Sequence, residues 1–313
     1  MKTLRIGSRG SQLALWQANH VGGELQRLHG VRWEIVIIKT SGDQFQQAPV
    51  GQMGQLAGLK GVFIKELEEA LLAESVDLAV HSMKDVPTET PAGLTFPAVT
   101  ARIDFRDALI SRSGRSLDGL PEGAGVGTSS LRRQSQLLRY RRDLRVLELR
   151  GNVDTRLKKL ERGDYDAIVL AKAGLDRLGL SGKITQILPP ELSLPAVGQG
   201  ALGIEARESD TLVAAMLAPL NHQDTRDAVA AERALLRELE GGCQVPLGAW
   251  GRVEGGDVVL DARVLSADGT ECVEGQQRGA RHQSEEVGRR LAHTLLTHGA
   301  DRILKLAGWR AGA

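Results

Sequence analysis

Two α/β units followed by a smaller α+β domain is the fold class this sequence predicts. Three observations carry it: a β-α-β-α-β alternation over the first eighty residues, a second run of the same layout over residues 124–171, and a C-terminal stretch with a helix, a hairpin and a further helix. In the first unit, residues 4–7 read as a buried strand. Ser8-Arg9-Gly10-Ser11 then opens a helix carrying Leu13, Leu15, Trp16, Val21, Leu25 and Leu28. Residues 33–38 form the next strand, 51–61 a Gly-rich loop, 62–72 an amphipathic helix and 77–81 a third strand. This alternation predicts a parallel sheet with helices on its faces.

The second unit repeats the layout without repeating the sequence. Its strands fall at 124–127, 145–149 and 167–171, with helices starting at Thr128-Ser129-Ser130 and over 152–160. Segments 100–104 and 195–200 read as crossovers, and 201–205 as a further strand. Two crossovers between two α/β units predict a hinged cleft. Residues 228–239 form a helix ending at Gly241-Gly242, 258–265 alternate and turn at Ala267-Asp268-Gly269, and 282–306 read as helical. The domains are expected at 1–99 with 200–218, at 104–195, and at 222–313.

Bulk composition narrows the function. A chain of 313 residues holds two or three compact domains. Forty basic residues against 39 acidic ones leave a net charge of +1, which argues against a general nucleic-acid binder while allowing a local basic site. Aromatics at 3% make base stacking a poor binding mode. Two cysteines, Cys243 and Cys272, form no disulfide framework and no zinc spacing, so no metal is expected. No apolar signal segment or membrane span is evident, and the cytoplasm is the expected location.

The residues suited to chemistry cluster where strands meet helices. Arg132 and Arg133 follow Gly127-Thr128-Ser129-Ser130. Ser and Thr there cap a helix whose free N–H groups can hold an anion. Two cations in a first helical turn oppose the helix dipole, an opposition that a ligand's negative charge would remove. Arg139, Arg141, Arg142, Arg145, Arg150 and Arg156 follow closely, and arginine suits bidentate carboxylate or phosphate binding. A solvated basic face explains the same run equally well. Ser8-Arg9-Gly10-Ser11 has the matching layout in the first unit. Two such corners in matching units point to a shared polyanionic ligand.

His81-Ser82-Met83-Lys84-Asp85-Val86-Pro87 follows a strand, where ligand sites of such sheets lie. Lys84 and Asp85 can bind and stabilise charge there; the alternative is a surface pair before a turn. His81 reads as a hydrogen-bonded structural histidine. Cys243, in Gly241-Gly242-Cys243-Gln244-Val245-Pro246, is either a presented nucleophile or a small buried hydrophobe, and spacing does not choose. Cys272 reads as structural.

Several stretches taken together resemble one family. They are Ser8 to Ser11 with LALWQ at 13–17, GVFIKE at 61–66, HSMKDVP at 81–87, GTSSLRR at 127–133, LRGNVD at 149–154, LPAVGQG at 194–200 and EGGCQVP at 240–246. In this order and over nearly the whole chain they resemble the porphobilinogen deaminases (hydroxymethylbilane synthases). The loop 52–59 and Gly10 depart from the commoner family pattern.

The resemblance implies two α/β domains like the halves of a periplasmic binding protein around a cleft, plus the small α+β domain. It implies a transferase of tetrapyrrole and haem biosynthesis that condenses four porphobilinogens head to tail, with release of ammonia, to linear hydroxymethylbilane. A dipyrromethane cofactor would be attached to Cys243 through a thioether. Asp85 matches the family's catalytic aspartate, whose carboxylate would stabilise positive charge on pyrrole nitrogen. Arg9, Ser11, Lys84, Ser129, Ser130, Arg132, Arg133, Arg150 and Arg156 match positions that bind cofactor or substrate carboxylates, and Gln17, Thr128, Arg177 and Gln199 extend that set. A monomer with no nucleic-acid or membrane partner is expected. A plain metabolite-binding module is the competing reading, but it gives Cys243 no task.

Overall fold

The computed structural model describes residues 3–41, 64–239 and 246–306. The chain divides into two compact units, Met1–Arg102 with Ala201–Arg226 and Ile103–Gly200 with Asp227–Ala313.

The first unit is built on strands β1 (Leu4–Ser8), β2 (Trp33–Ile37), β3 (Leu78–Ser82), β4 (Leu94–Val99) and β10 (Leu202–Arg207), in the order β2-β1-β3-β10-β4. β1 runs parallel to β2 and β3, while β10 lies antiparallel between β3 and β4. Helix α1 (Gln12–His29) begins because Ser11 accepts the Ala14 N–H and ends because Gly30 adopts a left-handed backbone, with its N–H on the Gln26 carbonyl. Ala18, Val21 and Leu25 form its buried stripe against Ile6, Leu78 and Ile204. The opposite sheet face packs Val76, Ala79 and Leu94 against Leu67 and Leu71 of helix α2 (Lys65–Leu72).

The second unit contains β5 (Asp107–Ser111), β6 (Gly125–Gly127), β7 (Arg145–Leu147), β8 (Ala167–Ala171) and β9 (Gln186–Leu188), in the order β7-β6-β8-β5-β9. β6 is parallel to β7 and β8, and β5 is antiparallel to β8 and β9. Both sheets thus share one layout: three parallel strands, then two more, of which the inner runs antiparallel to its neighbours. The expected parallel strands are present in each unit, and one further strand, β10 or β5, runs antiparallel beside them. β10 and β5 each follow a segment where the chain passes from one unit to the other, which reverses their direction. A local β-α-β pattern carries no record of that. β4 escapes the alternation because Pro97 interrupts it, and a proline is tolerated there because β4 is an edge strand.

The same unit holds the antiparallel sheet β11 (Leu247–Glu254), β12 (Asp257–Leu265) and β13 (Cys272–Ala280). The β12–β13 turn contains Gly269 at φ 72°, as the turn sequence predicts. Helices α7 (Gln223–Glu238) and α8 (Ser284–Leu295) cover one face of the sheet through Ala231, Leu235, Val287 and Leu291. The long C-terminal helix expected over 282–306 is broken at Gly299, whose φ of 99° no regular helix accommodates, and resumes at Asp301–Leu306.

At Gly288 α8 comes close enough to α7 that a Cβ there would stand 2.2 Å from the Ala231 carbonyl oxygen. Gly288→Ala is expected to lower stability by about 3 kcal/mol, the upper end of overpacking costs, because the obstacle is backbone. Denaturant unfolding beside the wild type measures it.

Candidate active site

The first unit presents its polar residues at the carboxyl ends of the parallel strands β1 and β3, the edge where ligands approach such sheets. β1 runs into half-buried Arg9 and then Ser11, the cap of α1. One turn along the helix, buried Gln17 donates from Nε2 to Ser82 Oγ at 3.0 Å. This bond ties α1 to the end of β3. The chain then makes a single 3-10 turn, Met83–Asp85, that leaves Lys84 half-buried and Asp85 exposed. Arg9, Ser11, Gln17, Lys84 and Asp85 are therefore gathered at one edge. His81 is buried and lies 2.9 Å from Glu205 Oε2 through its Nε2, in keeping with the structural role read for it.

The second unit repeats the device at the ends of β6 and β7. The Thr128 N–H donates to Leu147 O, and its Oγ1 accepts from the Ser130 N–H. Ser129 Oγ donates to Leu149 O and accepts the Leu149 N–H, closing the two strand ends together. Ser130 caps helix α3 (Leu131–Tyr140) by accepting from the Arg133 N–H. Arg150 is exposed and pairs with Glu148 at 2.5 Å. Arg156, on α4 (Val153–Glu161), donates from Nε to Gly151 O at 2.7 Å.

Arg132 and Arg133 face inward. Both are buried, and both hold Asp107, the fully buried first residue of β5. Arg132 Nη1 lies 2.7 Å from Oδ2, and Arg133 donates from Nε and Nη2 to Oδ1 at 3.0 and 2.7 Å. Ser193 Oγ and Gln199 Nε2 complete the shell at 2.9 and 3.0 Å. Burial alone would raise the Asp107 carboxyl, but the two guanidiniums override it and hold the group well below the usual carboxylate range. The negative charge that the sequence reading assigned to a ligand is thus already supplied by the protein. Asp107 and Ser193 were not legible as site residues. The only signal was an acid opening an otherwise apolar strand, Asp107-Ala108-Leu109-Ile110.

Arg177 stands outside this cluster. It is buried, donates from Nη2 to Gly200 O at 2.8 Å, and is pushed down to about 10 by burial, with Asp176 opposing. Gln199 joins the cluster through its amide nitrogen, which also donates to Phe105 O at 2.7 Å. Its Oε1 is buried and accepts no hydrogen bond among the described residues. Cys243 and the 51–61 loop lie outside the described residues. Cys272 is half-buried at the start of β13, and burial pushes its thiol up, as suits an inert position.

The family model described as porphobilinogen deaminase, dipyromethane cofactor binding domain, matches residues 4–215, and the porphobilinogen deaminase C-terminal domain matches residues 227–297. The chain belongs to the porphobilinogen deaminase family. The porphobilinogen deaminase of Geobacter metallireducens is 52% identical over 304 residues, 97% of this chain and 94% of that one. That of Pelobacter propionicus is 50% identical over 305 residues, 97% of each chain. Among solved structures, the methionine-binding protein MetQ superposes with a TM-score of 0.45 at 14% identity, covering 74% of this chain and 94% of that one.

The family's dipyrromethane carries carboxylates and pyrrole N–H groups, and the donor set fits both. Arginines and capped helix ends suit the carboxylates, and the unpartnered Gln199 Oε1 is an acceptor of the kind an N–H requires.

Asp107→Asn leaves two buried guanidiniums without a counter-ion. A loss of about 3–5 kcal/mol is expected, read from chemical denaturation. The acid dependence follows from the depressed carboxyl. Its contribution is present above the unfolded value of about 3.9 and is lost as pH falls toward the folded one. Wild-type stability should therefore decline more steeply below about pH 4 than that of Asp107→Asn.

Proposed function

We propose that this protein is a hydroxymethylbilane synthase, joining four porphobilinogens into linear hydroxymethylbilane with loss of four ammonia molecules and ending in hydrolytic release. The observation that carries the reading is the match of both family domains along the chain, together with identity of about half its residues to porphobilinogen deaminases. A monomer acting in the cytoplasm is part of the same reading. No described helix is long and apolar enough to cross a membrane.

When bound, the dipyrromethane supplies the pyrrole α-carbon to which the first substrate is joined. Cys243 would anchor it by a thioether. In each addition the substrate's C–N bond breaks, nitrogen leaves as ammonia with the bonding pair, a C–C bond forms to the methylene carbon, and the attacking pyrrole α-carbon loses its proton. Positive charge rises on pyrrole nitrogen twice in this sequence. Asp85, exposed on its turn, would meet that charge with a carboxylate and take up the displaced proton. Each unit added brings two carboxylates. This reading assigns those carboxylates to Arg9, Ser11 and Lys84 in the first unit and to Ser129, Arg150 and Arg156 in the second. Ser130 and Thr128 shape the second edge, Arg132 and Arg133 hold its helix, Gln17 braces the end of β3, and Arg177 and Gln199 anchor the 199–200 segment.

Denaturing intact-mass spectrometry of the wild type beside Cys243→Ser tests the anchor. The wild type should carry the excess mass of a dipyrromethane, and the variant should not. A wild type at its plain sequence mass that gains no adduct from porphobilinogen would overturn the reading. Asp85→Asn should keep the adduct and lower kcat by about 10²–10⁴-fold, the range of a lost acid–base group. Ammonia release measures it.

A further inference from the structure

Three successive residues leading into the Met83–Asp85 turn are each tied down. His81 bonds to Glu205 on β10, Ser82 accepts from Gln17, and the Met83 N–H donates to Ala201 O at 3.1 Å. The Met83 side chain also fills the space over Gly203, where a Cβ would meet its sulfur at 2.3 Å and the Phe96 ring at 2.9 Å. The His81–Glu205 pair differs from the other two ties. Both side chains are almost wholly buried, at 3% and 0% exposure, and the His81 ring meets Phe96 edge-on at 6.0 Å. Glu205 Oε1 is buried and without a partner among the described residues. Glu68 on α2 is raised by its own burial and by Glu205, so acidic charge is already crowded there.

Burying such a pair is expensive, and an apolar pair of similar volume would pack the sheet as well. A directional bond in apolar surroundings does what apolar packing cannot: it fixes one strand lengthwise against another. His81 stands opposite Gly203 and Glu205 opposite Ala79, so the bond runs diagonally across β3 and β10. It resists sliding of β3 at the strand end from which the turn emerges.

We propose that the His81–Glu205 hydrogen bond sets the position of the Met83–Asp85 turn, making both side chains positioning residues for the reaction at Asp85. This rests on the role proposed above for Asp85. A displacement of about 1 Å at a reacting group is enough to cost on the order of 10²-fold in rate.

The test is kcat and KM for hydroxymethylbilane formation by full-length protein, with cofactor loading checked by intact mass and assays run well below each unfolding midpoint. His81→Gln keeps an N–H donor near the place of Nε2, Glu205→Gln keeps an acceptor, and His81→Asn is too short to reach. His81→Asn should lose about 10- to 100-fold in kcat with KM changed by less than about threefold. Amide exchange across 83–86 should also quicken in that variant. Both glutamine variants should retain kcat within about threefold of the wild type. A folded, loaded His81→Asn with wild-type kcat overturns the proposal, because a purely structural pair would lower the unfolding midpoint alone. If His81→Asn does not fold, the glutamine variants decide: slow turnover in folded, loaded protein overturns the proposal, and retained turnover supports it. A wild type that forms no hydroxymethylbilane from porphobilinogen overturns the reading of the site and this proposal together.

Discussion

The contact between Asp107 and the guanidiniums of Arg132 and Arg133 is the interaction on which the second unit depends. One carboxylate receives two arginines, a serine and an amide, and the donors come from two separate parts of the fold. The arginines bring the first turn of α3, Ser193 and Gln199 bring the segment leading out of the unit, and Asp107 itself begins β5. Arg133 also reaches Val169 O on β8, and Arg132 reaches Leu194 O. Two cations at a helix N-terminus are unfavourable by themselves. With Asp107 between them they become a clamp, and one positive charge of the three groups is left over.

That arrangement separates two kinds of arginine. Arg132, Arg133 and Arg177 are buried and engaged with carbonyls or a carboxylate, so their position is set before any ligand arrives. Arg9, Arg150 and Arg156 are half-buried or exposed near strand ends. The first kind fixes its surroundings in advance, and the second is the kind that the proposed function assigns to incoming carboxylates.

Much of this was legible in the sequence, for identifiable physical reasons. Helix α1 was visible because its cap, apolar stripe and terminal glycine all lie within twenty residues. The β12–β13 hairpin was visible because Asp268-Gly269 states its own turn. Ser11 and Ser130 were placed by local punctuation, whereas the sequence put Lys84 and Asp85 ahead of a turn that in fact contains them. What escaped depends on distance. Asp107 lies 25 residues from Arg132, and Glu205 lies 124 from His81, so no window of sequence contains either pair. The antiparallel direction of β5 and β10 is likewise a property of the path between units, and β9, at three residues, is too short to announce itself.

The placement of β10 between β3 and β4 has a consequence for how the chain emerges from synthesis. β3 and β4 are made within the first hundred residues, yet the strand that joins them comes a further hundred later. Until then the nascent first unit has a slot in its sheet and two unpaired edges, with apolar faces that only residues 202–220 complete. Pairings of such separation form slowly and leave edges open to other chains meanwhile. The first unit therefore starts before the β5–β9 sheet and closes only after that sheet's strands have been made.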